Sequence, residues 1–473
     1  MAGASPPAGK RLAVIGAGPG GYPAAFHAAL RGLDVTLIDE EENPGGACTY
    51  RGCIPSKALL HAARVIAESH EARAFGLDFG EPRIDLDALR EWKDSVVRRL
   101  TSGLGLLRGQ RNVRPIVGRA HFSGSRSLRV LCGGSLDEVG FDHAVIATGS
   151  SPVRPGPLAL DSPRVMDSTG ALELADVPDR LLVVGGGYIG LEMGTVYAAL
   201  GSKVTVVEML PGLLPGVDRD LVKPLATHLA GVFDEVLLNT RVTAMAEAED
   251  GIRVRLAAAG GAESERTFDK ALVAVGRRPN SDGLGLETTL VRTDDRGFLE
   301  TDGQRRTAEP TIFAVGDVAG EPMLAHKAMH EARVAVEAIL GQPAAFEPAA
   351  IPAVVFTDPE IAWCGLTEAD APADHVEVVR YPWRASGRAI TLARPEGLTK
   401  LILEKGSERV LGVGIVGPNA GELIAEGTLA VEMGARASDL QLTIHAHPTL
   451  SETVMESAET FFGTSAHYIA RRR

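Results

Sequence analysis

Three features predict an α/β protein with two doubly wound nucleotide-binding units, a central segment and a separate C-terminal α+β domain. A strand–glycine turn–helix–strand pattern occurs twice, at residues 11–39 and 181–208. Each copy is followed by a matching apolar strand that ends in glycine, at 141–149 and 268–276. At 473 residues the chain has room for about three domains at roughly 150 residues each. Apolar residues at 45% and charged residues at 23% are globular values, which excludes disordered, collagen-like and disulfide-scaffold classes.

The first unit opens on the short apolar run Arg11-Leu12-Ala13-Val14-Ile15. Gly16-Ala17-Gly18-Pro19-Gly20-Gly21 follows, then a helical run over 22–30, then 34–39 ending in Asp39. This is the context a dinucleotide fingerprint requires. Gly16 permits the tight turn, Gly18 lets the backbone approach a pyrophosphate, and Gly21 lets helix and strand pack closely. The helix start offers free N–H groups to the anion, and Asp39 accepts hydrogen bonds from a ribose diol. The second unit repeats the pattern with Gly185, Gly187 and Gly190 and the acid Glu208. A carboxylate there repels a 2′-phosphate, and Met209, Leu210 and Pro211 follow it rather than arginines, so NAD is expected over NADP.

A proline-rich stretch over 151–158 reads as a linker and 341–352 as a second boundary. The expected domains are 1–150, 151–276, 277–350 and 351–473. The last should carry strands near 400–403 and 409–416 and helices near 421–434 and 450–461. The glycine-interrupted apolar stretches at 13–30 and 181–200 read as buried strand-turn-helix units rather than membrane spans. Residues 1–10 carry no cleavage pattern, so no leader and a cytoplasmic setting are expected. The balance of 48 basic against 61 acidic residues gives −13, and the longest basic run is Arg471-Arg472-Arg473. Neither nucleic acid nor an anionic membrane is an expected partner. Four cysteines are too few for a secreted framework and wrongly spaced for zinc, and no metal site is expected.

Cys48 and Cys53 stand in Gly45-Gly46-Ala47-Cys48-Thr49-Tyr50-Arg51-Gly52-Cys53-Ile54-Pro55-Ser56-Lys57. Pro55 suits the first turn of a helix, which puts Cys53 at an N-terminus where partial positive charge favours a thiolate. Lys57 lies one turn on and adds a cation. Two inert buried thiols are the plainer reading of any cysteine pair; this environment favours a redox-active one. Near the C-terminus, His447 precedes a helix that Pro448 can start, and Glu452 falls in its first turn. A carboxylate on one imidazole nitrogen fixes the tautomer and leaves the other to take a proton. His445 has no acid at the matching offset and reads as structural. Cys132 and Cys364 read as inert thiols, and Trp363 as packing.

These strings, with GGGYIGLEMG, VAVGRRPN, FAVGDVAGEPMLAHKA and HAHPTLSE, resemble the class I pyridine-nucleotide–disulfide oxidoreductases over nearly the whole chain. The resemblance implies tightly bound, non-covalent FAD on the first unit and NAD+/NADH on the second. It implies that Cys48 exchanges with a substrate disulfide while Cys53 faces the flavin as a thiolate. Gly46, Lys57, Ala120, Thr148, Gly149, Gly316, Asp317, Met323, Leu324, Ala325 and His326 are then FAD contacts. Tyr188, Ile189, Val242 and Gly276 join the glycine turn and Glu208 around NAD, with Tyr188 either lidding the nicotinamide pocket or simply packing. A homodimer is implied, in which His447 of one subunit serves the Cys48–Cys53 pair of the other.

Within the family the fit is to the dihydrolipoyl-oxidising branch, which regenerates lipoyl groups by way of FAD and NAD+. The implied partners are lipoyl domains of 2-oxo-acid dehydrogenase acyltransferase components or the glycine-cleavage H protein. With so few residues before the first strand, the lipoyl group is expected on another protein. Glutathione- and mercuric-reductase-like activities are the alternative; the missing arginines after Glu208 and the absence of cysteines after Cys364 weigh against them. A flavin-bearing binder without catalysis is weighed against by intact Cys48, Cys53, His447 and Glu452. One departure stands out: Tyr50 occupies a position that is usually Asn in the family.

Overall fold

The computed structural model describes residues 9–469; residues 1–8 and the basic run Arg471–Arg473 lie outside the described residues. Arg11–Ile15 is the middle strand of a five-stranded parallel sheet, flanked by Asp34–Asp39 and His143–Ile146, with Arg114–Val117 and Ile312–Ala314 at the edges. Both faces of the middle strand are buried, as its continuous apolar run requires. Leu12 and Val14 pack on the helix side, against Ala24, Ala25, Ala332 and Ala335. Ala13 and Ile15 pack on Phe122 and Val130 of an antiparallel three-stranded meander, Arg119–Gly124, Ser127–Cys132 and Ser135–Gly140, and on Phe141 just after it.

The second unit repeats this plan. Arg180–Val184 lies between Lys203–Val207 and Lys270–Val273, all parallel, and the meander Thr240–Ala248, Gly251–Ala258, Glu263–Phe268 covers one face. The two meanders extend the internal repeat and carry no signal as strong as the glycine turns. Residues 277–350, expected as a central domain, build no sheet of their own. Their strand Ile312–Ala314 joins the first sheet and their helix Ala325–Ile339 packs on Gly21–Leu30, because that apolar strand finds its partner across a long sequence gap. Part of the expected linker is a strand, Ser150–Pro152, paired with Arg277–Pro279.

The C-terminal domain is a five-stranded antiparallel sheet in the order Ala353–Val355, Glu360–Gly365, Val410–Gly417, Leu398–Glu404, Val376–Pro382. Helices Ala420–Met433 and Glu452–Phe462 pack on it. Lys400, 1% exposed, joins this domain to the second unit by bonding Asp218 at 2.5 Å, Asp220 at 2.7 Å and Glu368 at 2.7 Å. The three carboxylates have the spacing of a cation site, and the ammonium of Lys400 serves as the cation. Among the described residues no helix is long and apolar enough to cross a membrane.

Candidate active site

The glycine turns are built as their sequence suggests. Gly16 has φ +95°, and a Cβ on it would meet Ala147 O at 2.3 Å; a Cβ on Gly21 would meet Gly16 O at 1.7 Å. A Cβ on Gly18 meets nothing nearer than Gly46 Cα at 3.7 Å, and one on Gly187 meets nothing within 4 Å. The middle glycine of each turn thus faces open space over a helix start, the cradle a pyrophosphate needs. Asp39 accepts from Ala17 N at 2.6 Å and Glu208 from Gly186 N at 2.7 Å, which presents both carboxylates beside their turns.

A cavity of about 620 Å³ runs from the first turn to the start of the second unit's helix. Gly16, Gly18, Asp39, Gly46, Cys48, Cys53, Lys57, Ala120, Thr148, Gly149, Gly316, Asp317, Met323 and Ala325 line it, with Tyr188 and Ile189 from the second unit. Its walls offer a ribose acid, open glycines and an apolar floor, which fit FAD. Gly21, Leu324 and His326 are not in the lining; the His326 ring bonds Pro352 O at 2.7 Å instead. Gly185, Gly187, Gly190, Glu208, Val242 and Gly276 also lie outside this cavity, on the second unit. Tyr188 stands 42% exposed on the lining.

Cys48 sits in the short helix Gly46–Arg51, and Cys53 begins the long helix Cys53–Glu71; both are free thiols. The Cys48 thiol hydrogen-bonds Cys53 and holds the Cys53 pKa down to about 7, with the Lys57 ammonium adding to the effect. The same bond and burial push Cys48 up, so the proton of the pair rests on Cys48. Lys57 Nζ bonds Glu192 Oε2 at 2.8 Å. Tyr50 stays off the sulfurs: its hydroxyl donates to Asn43 O at 3.0 Å and its ring packs over Gly45.

His447 and Glu452 form the second half. His447 Nδ1 lies 2.8 Å from Glu452 Oε1, and Glu452 Oε2 accepts from Thr449 N at 2.7 Å. The imidazole is 72% exposed and outside the cavity lining, so one chain does not bring this pair to its own cysteines. Leu429, Met433, Leu442 and Ile444 are also exposed on this side of the C-terminal domain, an apolar surface of the kind a subunit interface buries. His445 has an acid after all: Glu426, from the helix Ala420–Met433, bonds its Nε2 at 2.7 Å while Thr443 O takes Nδ1 at 2.9 Å. With both nitrogens engaged it is structural. Cys364 is buried, which pushes its thiol up to about 11, and Trp363 packs against the core of the second unit.

Sequence reasoning missed the residues that hold this site in shape. Asn280 donates to Thr148 O at 2.9 Å and accepts from the Thr148 hydroxyl through its backbone carbonyl, clasping the Thr148–Gly149 turn. Glu331, fully buried between Lys327 and Arg305, accepts from Gly316 N at 2.7 Å and fixes the loop carrying Asp317. The Ser150 hydroxyl donates to Asp317 Oδ2 at 2.5 Å. Asn280, last in the VAVGRRPN string, was the one of these with a sequence signal.

Residues 10–332 match the model of the pyridine nucleotide-disulphide oxidoreductases, and residues 351–458 that of their dimerisation domain. The chain belongs to this family. It is therefore an oxidoreductase that carries FAD and uses NAD(H), and its C-terminal sheet and helices are a dimerisation domain. It is 46% identical to the dihydrolipoyl dehydrogenase of Vibrio cholerae over 456 residues, 96% of each chain. Dihydrolipoyl dehydrogenase 2 of Haloarcula marismortui is 46% identical, covering 97% of this chain and 98% of that one. Among solved structures, LpdA from Mycobacterium tuberculosis superposes with a TM-score of 0.88 at 28% identity, over 96% of this chain and 99% of that one. The HOCl-induced flavoprotein disulfide reductase RclA from Escherichia coli follows at 0.85 and 28%, over 95% and 99%.

Proposed function

We propose that the protein is a dihydrolipoyl dehydrogenase: it oxidises protein-bound dihydrolipoyl groups to lipoyl and reduces NAD+ to NADH. The observation that carries this reading is the asymmetric pair on the cavity wall, in which Cys53 is the stabilised thiolate and Cys48 holds the proton. An asymmetric pair suits dithiol–disulfide exchange, because the leaving sulfur is the one with the lowered pKa.

In the oxidised enzyme Cys48 and Cys53 form a disulfide. His447, its tautomer set by Glu452, takes a proton from one substrate thiol. The resulting thiolate attacks Cys48 Sγ, the Cys48–Cys53 bond breaks, and Cys53 leaves as a thiolate. The second substrate thiol then attacks the substrate sulfur of the mixed disulfide, closing the lipoyl ring and releasing Cys48, which takes that thiol's proton while His447 keeps the first. The electron pair of the substrate is now held by the two cysteines. FAD, held by the residues that line the cavity from Gly16 to Ala325, would supply the two-electron chemistry that links the cysteine pair to NAD+. Lys57 supports the Cys53 thiolate on the cavity wall. Glu208 would hold the NAD ribose, and the turn at Gly185–Gly190 would take its pyrophosphate.

The dimer supplies His447 from the second subunit, since its imidazole is exposed on the dimerisation domain and away from the cavity of its own chain. The partners are lipoyl domains of 2-oxo-acid dehydrogenase acyltransferase components or the glycine-cleavage H protein, in the cytoplasm. The working limits of the functional segments are 1–150 for FAD and the redox pair, 151–276 for NAD, 277–350 completing the FAD site, and 351–473 for dimerisation. Comparing dihydrolipoamide with NAD+ against glutathione disulfide or Hg(II) with NADPH tests the reading. Higher kcat/KM for dihydrolipoamide is expected, and a higher value for either alternative overturns it.

A further inference from the structure

Lys57 has two partners beyond the sulfurs, and one of them comes from a distant part of the chain. Its ammonium lies 2.8 Å from Glu192 Oε2 and 4.5 Å from the centre of the Phe356 ring. Glu192 is buried, its side chain 4% exposed, and its other oxygen accepts from Phe356 N at 3.0 Å. Phe356 follows the strand Ala353–Val355 of the dimerisation domain and also packs on the core of the second unit. One residue therefore holds both ends of the Lys57–Glu192 pair, the carboxylate by its N–H and the ammonium by its ring face.

The two charges act on Cys53 in opposite senses: Lys57 favours the thiolate and Glu192 opposes it. How firmly the ammonium is fixed beside the pair decides how much of its charge reaches the sulfur. We propose that Phe356 is a positioning residue for Lys57, its ring face and N–H together fixing the Glu192-bound ammonium where it supports the Cys53 thiolate. This rests on the proposed role of Cys53 as the thiolate that faces the flavin.

Other charges around the pair do not come from Phe356 and should respond differently. Cys48 faces Cys53 directly; Tyr188 borders the cavity, with Arg277 and Asp317 beyond it. Arg64, farther along the Lys57 helix, lies 3.9 Å from Glu360 of the dimerisation domain. In the proposed dimer the His447–Glu452 pair also approaches. All of these remain in place when only the ring is changed.

The test uses FAD-loaded dimer, reduced anaerobically by two electrons, with the long-wavelength thiolate-to-flavin band followed against pH. Phe356→Leu keeps the N–H and an apolar side chain but removes the ring face; Phe356→Tyr keeps the face. In Phe356→Leu the midpoint should move up, leaving about threefold or more less thiolate at pH values below it, and Phe356→Tyr should titrate like wild type. Identical midpoints in wild type and Phe356→Leu overturn the proposal and make Phe356 a packing residue only. A wild type with no band at any pH overturns the reading of Cys53 itself. If Phe356→Leu loses FAD, the rate of Cys53 alkylation by iodoacetamide against pH, measured for all variants in a Cys48→Ser background, reads without flavin how far the Phe356 change moves the midpoint: an upward move in Phe356→Leu alone supports the proposal, and identical midpoints overturn it.

Discussion

Asp39 and Glu208 stand in the same relation to their own glycine turns. Each accepts a hydrogen bond from the backbone N–H that follows the first glycine, Ala17 N at 2.6 Å and Gly186 N at 2.7 Å, with a second bond from the residue two places on, Glu41 N and Leu210 N, each at 2.8 Å. The duplicated fold has kept a carboxylate in the same place at both turns. At the second site the carboxylate is buried among apolar neighbours, so its charge is poorly screened.

Nucleotide preference follows from Glu208. NAD+ should exceed NADP+ in kcat/KM by on the order of tenfold or more, because a 2′-phosphate would face a buried carboxylate. Glu208→Gln should narrow that ratio by raising NADP+ use. Steady-state kinetics with both nucleotides check this, and a wild-type preference for NADP+ contradicts it.

The Cys53 thiol, held down to about 7, sets a pH dependence. Above that value the reduced enzyme carries the thiolate and should show long-wavelength absorbance. As pH falls through about 7 the sulfur is protonated and the band should fade. An anaerobic pH titration of the reduced holoenzyme measures it, and Cys53→Ser should show no band at any pH while still binding FAD.

His447→Gln should lose on the order of a hundredfold or more in kcat, the usual worth of a positioned base. Glu452→Gln should lose less, since the imidazole survives without its orienting acid. Mixing Cys48→Ser with His447→Gln protomers should restore activity in heterodimers, one of whose two sites regains both residues. Demonstrated subunit exchange with no return of activity would place both residues in one chain.

Lys400→Met should lower Tm by roughly 5 °C or more, because it leaves Asp218, Asp220 and Glu368 facing one another without their buried cation. Calorimetry reads this directly. The paired carboxylate Asp220 has a depressed pKa, so its share of stability is present at neutral pH and is lost as pH falls below the ordinary carboxylate range.

Local signals carried most of the fold and the chemistry. Both glycine turns, the cysteine string and the His447–Glu452 pair lie within short windows, where spacing alone dictates which groups meet. What sequence did not disclose are contacts across the chain. Lys57 meets Glu192 from 135 residues away, Asn280 reaches Thr148 from 132, and Lys400 reaches Asp218 from 182. The strand Ile312–Ala314 was legible as a strand, but its place in the first sheet depends on a pairing that no local pattern encodes. His445 shows the same limit at close range, since it lies in a loop and its acid comes from the helix Ala420–Met433.

The central claim is that the substrate's electron pair passes through Cys48 and Cys53 before it reaches NAD+. Adding one equivalent of dihydrolipoamide per site anaerobically, and then NAD+, tests it in a single turnover. Wild type should develop the long-wavelength band and then release about one NADH per site, while Cys48→Ser with FAD bound should give neither. NADH formation by Cys48→Ser at the wild-type rate would contradict the account.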